Sequence, residues 1–539
     1  MARYVIGVDF GTLSGRAVLV EVQSGHIVAE SVLDYPHGVM TEQGQAWALH
    51  NPMDYLTVLE HTIPKLLSES GVEAEEVAAI GWDVTSCTML PALLDGTPLC
   101  RTERFKNHPH AYVKLWKHLA AAPQARRIEE LAKAEYPELL SDYGGKVSSQ
   151  WMLPKVLQIA EEAPEVYQSA DLFLEVIDWL TLVLTGKLVR SSCGAGFKSF
   201  WSQERGYPPA GFLKQLHPLL EDLIEKQLRG PICPPWRAAG GLTEGWAKRL
   251  GLRPGTVIAA SIIDAHAGLP GSGIAEDGTL LMSVGTSTCH MVFSKKKHTV
   301  PGICGVSRDS VLPDFYAYEA GQACVGDLLD WFVQNSVPHR EWEAAKAQDV
   351  GIHAHLCAQA EQFPPGSNGL LALGWWNGQR SPYVDDRLSG LMLGLTIRTT
   401  PAEQYRALME STAYGTRLIL DTLEKGGVPI QKVMACGGIS QKNPLMMQIY
   451  ADVLNRPVYV TSQLQTAALG AAILAASAAK LHGSPEQAVR AMTRPAETVY
   501  LPDENRAEQY DALYRKYCAL AEHFAKETPV MHQLSALWN

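Results

Sequence analysis

Two stretches far apart in the chain share one pattern, and this pattern limits the possible folds more than any other feature. Residues 5–20 run from an apolar, β-branched segment through a turn rich in glycine and hydroxyl side chains into a second apolar segment. Residues 279–293 repeat that order around a Gly-Thr-Ser-Thr turn. Apolar runs on both sides of a tight turn predict a buried β-hairpin. The repeat predicts two domains of one type, each contributing a hairpin to a shared cleft.

The first turn has the chemistry of an anion site. Gly11 lets backbone N–H groups approach an anion closely, and the hydroxyls of Thr12 and Ser14 can donate to it. Arg16 can add a charge-assisted contact. Asp9 ends the strand beside this turn, where a carboxylate suits a phosphate only if a cation such as Mg²⁺ lies between them. The alternative is an ordinary glycine-rich hairpin with a capping aspartate.

The repeat of this turn, at Gly285 and Thr286, favours phosphate binding. Two phosphate hairpins that face each other resemble the actin, hexokinase and Hsp70 superfamily of ATP-binding proteins. That resemblance implies an α/β fold with two actin-like (ribonuclease H-like) ATPase domains, which clasp ATP and Mg²⁺ in the cleft between them. The chain contains no G-x-x-x-x-G-K-[ST] P-loop.

Length and composition agree with a large ATP-binding protein. The 539 residues exceed what one core can hold, so we expect two domains, at residues 1–274 and 275–539. The net charge of −11 argues against a nucleic-acid or anionic-membrane surface. The ten cysteines form no Cys-x-x-Cys pair, and the N-terminus has no secretory signal pattern. The most apolar stretch, residues 464–481, predicts a buried helix rather than a membrane span, so a cytoplasmic protein is expected.

A particular family is indicated by residues 77–99. Residues 77–85 predict a buried strand with a polar end, and residues 91–99 predict two strands around an Asp-Gly turn. A D-x-G-T hairpin followed by these segments resembles the FGGY carbohydrate kinases. Where many members have Ser-Gly-Gln-x-His at the strand tip, residues 82–87 read Trp-Asp-Val-Thr-Ser-Cys, which departs from the usual hexose or xylulose pattern. Because that tip contacts sugar in the family, the resemblance implies that Ser86 contacts the substrate.

Three further side chains resemble sugar contacts of this family. The Leu-Trp-Lys-His run at Trp116 resembles the branch that phosphorylates L-ribulose. Lys198 lies in residues 193–201, which predict a glycine-rich loop and resemble a Gly-x-Lys-x-x-Trp run of that branch. Glu319 lies in residues 318–323, which resemble a helix start that reaches into the sugar cleft. Without the resemblance, Trp116 is as well explained as a core residue, and Lys198 as a surface lysine.

Residues 257–263 predict a buried strand that ends in the carboxylate of Asp264. A carboxylate there can accept the proton of a sugar hydroxyl as its oxygen attacks the γ-phosphorus of ATP. FGGY kinases have their catalytic aspartate in this context. The resemblance therefore implies that Asp264 is the base, a substrate contact and, together with Asp9, a magnesium ligand. The alternative is a helix-capping aspartate.

Nucleotide motifs are expected in the C-terminal half. Residues 378–395 resemble the Gly-x-Arg-x-Pro-x-x-Asp segment of the family, and residues 433–445 predict a strand, a Gly-Gly turn and a helix start. Glycines there let an adenine lie flat on the backbone. The resemblance implies an adenosine site lined by Gly437, Gly438 and Asn443.

The activity implied by the resemblance is ATP-dependent phosphorylation of L-ribulose to L-ribulose 5-phosphate in L-arabinose catabolism. The partners would be ATP and a small ketopentose, and a homodimer stays open. One alternative is another FGGY sugar or polyol kinase, acting on xylulose or glycerol. A second is an Hsp70- or actin-like nucleotide switch, against which the lack of an added partner-binding domain argues. A third is an inactive sugar sensor, against which the intact Asp9 and Asp264 argue.

Overall fold

Two seven-stranded sheets form the centre of the computed structural model, which describes residues 3–537. The strands in chain order are β1 (Tyr4–Phe10), β2 (Ser14–Glu21), β3 (Ile27–Asp34), β4 (Leu49–His50), β5 (Val77–Val84), β6 (Met89–Ala92), β7 (Val113–Lys114), β8 (Leu172–Glu175), β9 (Arg190–Ser191), β10 (Ile232–Cys233), β11 (Ala238–Gly241), β12 (Val257–Ala259), β13 (Ile262–Ile263), β14 (Thr279–Val284), β15 (Thr288–Ser294), β16 (Gly305–Arg308), β17 (Tyr316–Gln322), β18 (Leu371–Leu373), β19 (Leu391–Leu393), β20 (Lys432–Cys436), β21 (Val458–Val460) and β22 (Thr498–Tyr500). The helices in chain order are α1 (Pro52–Ser70), α2 (Ala122–Glu135), α3 (Met152–Glu162), α4 (Pro164–Ser169), α5 (Val176–Thr185), α6 (Ser192–Lys198), α7 (Ala210–Leu216), α8 (Leu223–Lys226), α9 (Glu244–Leu250), α10 (Asp264–Gly271), α11 (Gly326–Ser336), α12 (His339–Ala347), α13 (Ile352–Ala360), α14 (Pro401–Lys425), α15 (Gly438–Lys442), α16 (Pro444–Leu454), α17 (Thr466–Ala478), α18 (Pro485–Met492), α19 (Glu504–Glu522) and α20 (Val530–Ser535).

The two sheets have the same topology. The first has the order β11-β12-β5-β1-β2-β3, with β13 also paired to β5, and the second has the order β22-β21-β20-β14-β15-β17-β16. In each sheet the first strand forms an antiparallel hairpin with the next strand and runs parallel to a later one. These sets are β1 with β2 and β5, and β14 with β15 and β20. The predicted pair of α/β domains of one type is confirmed.

Buried apolar side chains of the described residues group into three cores. The first surrounds the first sheet, α1, α5 and α17, and the second surrounds the second sheet, α14, α16 and α19. The third lies between the small sheet β4-β7-β6-β8 and helices α2, α3 and α7. The predicted buried helix in residues 464–481 is confirmed as α17. Across residues 3–537 no helix combines the length and the hydrophobicity that a membrane crossing requires.

Helices α10 and α17 cross between the two sheets with their backbones in contact. Helix α10 packs against β14 and β15 of the second sheet, whereas α17, from the C-terminal half, packs on β1 and β5 of the first. A Cβ on Gly271 would overlap the carbonyl oxygen of Thr466, and one on Gly470 would overlap that of Ala267. Gly7 on β1 leaves the same room for α17. Only glycine permits so close a contact at these positions.

Three local predictions are corrected by the structure. Residues 193–201 are not a loop, because most of them form α6; Gly194 lets that helix pack against a side chain of β8. Residues 318–323 lie mainly on β17, which pairs on both sides, and not at a helix start. Residues 257–263 form two short strands, because Ser261 adopts a left-handed conformation with φ of 65° between them.

Replacing Gly470 with alanine tests the helix crossing. The added methyl group would meet the backbone of α10, so we expect the free energy of unfolding to fall by about 1–3 kcal/mol. The matched control is Gly245→Ala in α9, where a Cβ meets no other atom within 4 Å. Alanine there should be neutral or slightly stabilising, because it favours the helix more than glycine does. Equal unfolding free energies for the two variants in urea titrations would contradict the contact.

Candidate active site

Three carboxylates meet at the carboxyl ends of neighbouring strands in the first sheet. Asp9 on β1 and Asp83 on β5 are directly opposite in the parallel register, so their side chains project from the same face. Strand β13 pairs with β5 at the same level, with Ile262 opposite Asp83, and Asp264 follows as the first residue of α10. Open α/β sheets bind ligands at the carboxyl ends of their strands.

Asp264 has the acidity of a proton acceptor. Burial raises the pKa of Asp264 to about 7, opposed by a hydrogen bond from the N–H of Ala265 and by the charge of Arg380. The negative charges of Asp9 and Glu319 raise this pKa further. A carboxylate that titrates near neutral pH is suited to general base catalysis. Asp9 belongs to the first half of the chain, whereas Glu319 and Arg380 belong to the second. Asp264 therefore lies where the two halves meet.

Asp83 is fully buried, and neither of its carboxylate oxygens has a hydrogen-bond partner in the part of the chain that the structure describes. Burial raises the pKa of Asp83 well above its usual value, and the charges of Asp9 and Asp264 raise it further. Burial also raises the pKa of Asp9, although its contact with Asp83 and the charge of Arg16 oppose the rise. A buried carboxylate without a donor next to a second carboxylate is stabilised when a proton or a cation neutralises the pair.

These residues fit a magnesium ion that enters with a nucleotide. Mg²⁺ prefers carboxylate and phosphate oxygens and keeps several waters, so one or two protein carboxylates are enough. Asp9 and the unpartnered carboxylate of Asp83 offer that chemistry. Within residues 3–537, no group of three or more acidic, histidine or cysteine side chains is arranged to hold a metal ion unaided.

The first predicted phosphate turn is tight and adjoins a predicted sugar contact. The N–H of Gly11 donates to the carbonyl oxygen of Ser14 at 3.0 Å, which leaves Thr12 within the turn. The indole N–H of Trp116 donates to the hydroxyl oxygen of Thr12 at 3.1 Å. Trp116, proposed from sequence as a sugar contact, therefore touches the turn that was predicted to hold phosphate.

The second predicted phosphate turn lies in front of helix α11. The N–H of Gly285 donates to the carbonyl oxygen of Ser287 at 2.9 Å. The N–H groups of Val325 and Asp327 donate to the carbonyl oxygen of Thr286 at 2.8 Å and 3.1 Å. The start of α11 therefore holds the backbone of this turn in place.

Two interactions link the neighbourhood of each turn to the other half of the chain. Arg16, after the first turn, donates to the side-chain oxygen of Gln465, immediately before α17, at 2.6 Å. Burial raises the pKa of Asp327, behind the second turn, and the positive charge of Lys117, next to Trp116, opposes that rise. That the two turns face one another across a shared cleft stays a prediction.

A buried cluster of charges joins the two halves beside Asp264. The ammonium of Lys198, the last residue of α6, donates to one oxygen of Glu319 at 2.7 Å, and Arg380 donates to the other at 2.8 Å. Burial alone would raise the pKa of Glu319, but the charges of Lys198 and Arg380 outweigh it and hold the pKa at about 2. Burial lowers the pKa of His266 to about 3, so this ring is neutral. The cluster carries one net positive charge.

Ser86 lies in the turn between β5 and β6, at the sheet edge where Asp83 ends its strand. The next residue, Cys87, adopts a left-handed conformation with φ of 52°, which residues other than glycine rarely adopt. Trp116 lies two residues after the end of β7, a strand of the small sheet that also contains β6.

The predicted adenosine residues lie behind the second turn. Gly437 has φ of 96°, and a Cβ on it would lie 2.5 Å from the carbonyl oxygen of Val284, so this position requires glycine. Gly438 faces open space, because a Cβ there would meet nothing within 4 Å. The side-chain oxygen of Asn443 accepts from the N–H of Met446 at 3.0 Å and caps α16. Its side-chain nitrogen donates to the sulfur atoms of Cys357 at 3.4 Å and Met409 at 3.8 Å, so both ends of the amide have partners within the protein.

Three groups of this site were missed from the sequence. Asp83 was noticed only as a departure from the family pattern, although a carboxylate at a strand end is itself a signal. Arg380 lies in the Gly-x-Arg-x-Pro motif, which suggested no role for it. His266 lies two residues after Asp264, where nothing in the sequence separates it from an ordinary helix residue.

Comparison with known proteins supports the motif-based resemblance. Models of the FGGY family of carbohydrate kinases match residues 4–271 with the N-terminal domain and residues 280–479 with the C-terminal domain. A ribulokinase from Halalkalibacterium halodurans is 45% identical, over 99% of this chain and 97% of the relative. A ribulokinase from Geobacillus thermodenitrificans is 46% identical, over 99% and 96%. The crystal structure of xylulose kinase from Rhodospirillum rubrum has a TM-score of 0.80 at 24% identity, over 98% of this chain and 100% of that one, which shows a shared fold.

Replacing Asp83 with asparagine should stabilise the protein in magnesium-free buffer. The folded-state pKa of Asp83 is raised, so the cost of its charge is absent at low pH and grows as pH rises above the usual aspartate range. We expect the variant to gain about 1–3 kcal/mol of unfolding free energy at pH 8 and to lose this advantage toward pH 4. Urea titrations at several pH values measure it.

The control for this experiment is Asp95→Asn. Hydrogen bonds from Thr97 lower the pKa of Asp95, so its removal should not stabilise the protein at any pH. An Asp83→Asn variant that is less stable than the parent at pH 8 would contradict the prediction that the charge of Asp83 destabilises the folded protein.

Proposed function

The chain belongs to the FGGY family of carbohydrate kinases, and we propose that it transfers the γ-phosphoryl group of ATP to L-ribulose, giving L-ribulose 5-phosphate and ADP. One observation carries the proposal: the carboxylate of Asp264 is close enough to Asp9, which precedes the first turn, and to Glu319, which is paired with Lys198, for both charges to raise its pKa. Relatives named ribulokinase, 45% and 46% identical over nearly the whole chain, support the choice of sugar. A role in L-arabinose breakdown follows from that substrate.

The sugar would be held by groups of three kinds. The indole of Trp116 would cover its apolar face, and Ser86 would offer a hydroxyl. Lys198 and Glu319 would provide a donor and an acceptor that are already aligned by their mutual hydrogen bond at 2.7 Å. A buried ion pair aligned in this way loses little entropy when substrate binds.

The triphosphate would lie between the two turns. Backbone N–H groups and hydroxyls at both tips would contact its oxygens, and the adenosine would lie on the open backbone behind the second turn. The proposed phosphate contacts are Thr12, Ser14, Arg16, Gly285 and Thr286, and the proposed adenosine contacts are Gly437, Gly438 and Asn443.

Asp264 would act as the general base. Its carboxylate would accept the proton of the terminal ketose hydroxyl while that oxygen bonds to the γ-phosphorus and the bond from this phosphorus to the β–γ bridging oxygen breaks. A pKa of about 7 leaves a large part of this carboxylate ionised at neutral pH. The reaction is otherwise governed by positioning and by stabilisation of phosphoryl charge, to which the net positive cluster of Lys198, Glu319 and Arg380 would contribute.

Asp9 and Asp264, with Asp83, would hold Mg²⁺ directly or through water. When bound, the ion would neutralise charge on the phosphate oxygens. The unpartnered oxygens of Asp83 and the like charges around it support this proposal.

The setting of the reaction follows from the same features. Closure of the two halves about the α10–α17 crossing would exclude water, which would otherwise hydrolyse ATP.

Ten free cysteines among the described residues are compatible with the reducing cytoplasm, where we place the enzyme. The homodimer stays a prediction that sedimentation would test.

A substrate panel tests the proposed function. ATP consumption, coupled to detection of ADP, is measured with L-ribulose, D-xylulose and glycerol. We expect kcat/KM for L-ribulose to exceed those for the other two by about tenfold or more, since the site would leave polar groups unpaired with the wrong acceptor. Equal values for L-ribulose and either competitor would contradict the narrower assignment.

The control variant is Asp264→Asn. Loss of the base should reduce kcat by about 100-fold or more, while calorimetry should find unchanged affinity for ADP. Retention of full turnover would remove Asp264 from the mechanism. A parent protein that phosphorylates no sugar would favour a nucleotide switch instead.

A further inference from the structure

Lys155 on α3 is a buried ammonium whose partners are main-chain carbonyls. Its side chain is 0% exposed, and its Nζ donates to the carbonyl oxygen of Cys87 at 2.6 Å and to that of Leu115 at 2.7 Å. Both bonds are buried and charge-assisted, the stronger class of hydrogen bond. One side chain therefore ties together two segments that lie far apart in the chain.

Each of the two carbonyls lies one residue from a proposed sugar contact. Cys87 follows Ser86 in the turn between β5 and β6, and Leu115 precedes Trp116 after β7. The structure thus connects the backbone of both contacts to the same atom of Lys155.

Both segments need a fixed backbone. Cys87 adopts a left-handed φ of 52°, which costs energy for a residue with a side chain. The turn around it is closed by Thr85 and Thr88, whose hydroxyl oxygens lie 2.7 Å apart. The carbonyl oxygen of Leu115 also accepts from the N–H of His118 at 3.1 Å. Lys155 adds the bond that joins one segment to the other.

A lysine is an expensive choice for packing alone. Burial of an ammonium without a bound carboxylate costs free energy, whereas an apolar side chain of similar length would fill the same space without that cost. Burial lowers the pKa of Lys155 to about 8, so the group is mostly charged at neutral pH. The negative charge of buried Glu175 raises this pKa and offsets part of the cost, although the hydrogen bonds of Lys155 go to the two carbonyls.

We infer that Lys155 is a positioning residue for the ketose, which sets the relative placement of Ser86 and Trp116 through the carbonyls of Cys87 and Leu115. This inference rests on the proposed function, because it takes those two residues as sugar contacts. Lys155 touches neither sugar nor nucleotide in this arrangement, so its loss should affect binding of the sugar more than binding of ATP.

Lys114 provides a matched control. It is also 0% exposed, and burial lowers its pKa well below the usual lysine value. Its Nζ lies 3.5 Å from a ring nitrogen of His118 and 4.2 Å from the centre of the Trp47 ring. Among the described residues, this Nζ has no hydrogen bond to the carbonyls of Cys87 or Leu115, which Lys155 holds. Methionine at position 114 therefore removes a buried amine from the same core and leaves both of those bonds in place.

The test compares Lys155→Met with Lys114→Met in the full-length enzyme. Steady-state kinetics are measured with the ketose on which the parent is active, together with calorimetry of ADP binding and thermal unfolding. For Lys155→Met we expect KM for the ketose to rise by about tenfold or more, with KM for ATP and affinity for ADP within about twofold of the parent. For Lys114→Met we expect no change in KM for the ketose, whatever its stability.

Several outcomes would overturn the inference. They are an unchanged ketose KM in Lys155→Met, an equal rise in KM for ATP, and an equal rise of ketose KM in both variants. If Lys155→Met does not fold, Lys155→Arg decides, because it keeps the charge but its larger group displaces both carbonyls. We then expect ketose KM to rise by about threefold or more at constant KM for ATP, and an unchanged ketose KM would contradict the proposal. The parent's own substrate panel tests the proposed function separately.

Discussion

Backbone contact between α10 and α17 is the constraint on which the rest of the structure depends. Each helix comes from one half of the chain and packs on the sheet of the other half. Gly271 and Gly470 allow the contact, because a Cβ at either would overlap a carbonyl oxygen of the partner helix. Asp264 begins α10, and Gln465, which precedes α17, accepts from Arg16 of the first phosphate turn. The crossing that joins the halves therefore also places the carboxylate and one phosphate turn.

Two groups of charges lie side by side near this crossing. Asp9, Asp83 and Asp264 lie at the strand ends of the first sheet, while Lys198 and Arg380 converge on Glu319. Electrostatic interactions are strong at such a poorly hydrated place, so the acids repel one another until a cation arrives. In the proposed mechanism, the same groups would bind an ion carried by a nucleotide and accept the proton of the attacking hydroxyl. The buried pair of Lys198 and Glu319 fastens the two halves beside these acids.

The sequence was informative where short-range chemistry decides the structure. The two hairpins, the carboxylate of Asp264 at a strand end and the buried helix α17 follow from apolar periodicity and turn residues, and the structure bears out those elements. Lys198 was expected on a loop, because two glycines in seven residues argue against a helix; α6 forms because Gly194 lets it pack against β8. The roles of Asp83 and Lys155 could not be recognised from the sequence. Asp83 stands out because its buried carboxylate lacks a hydrogen-bond donor, and Lys155 because it binds two carbonyls that are distant along the chain.

The central claim is that both turns bind the same triphosphate and that Asp264 lies next to its γ-phosphorus. A crystal structure with Mg²⁺, L-ribulose and the β,γ-imido analogue of ATP tests this claim most directly. We predict contacts from the first turn, at Thr12, and from the second, at Gly285 and Thr286, to the same triphosphate. We also predict a carboxylate oxygen of Asp264 within about 2.6–3.2 Å of the ketose hydroxyl that faces the γ-phosphorus. A triphosphate held by one turn only, or a ketose bound out of reach of Asp264, would contradict the proposed mechanism.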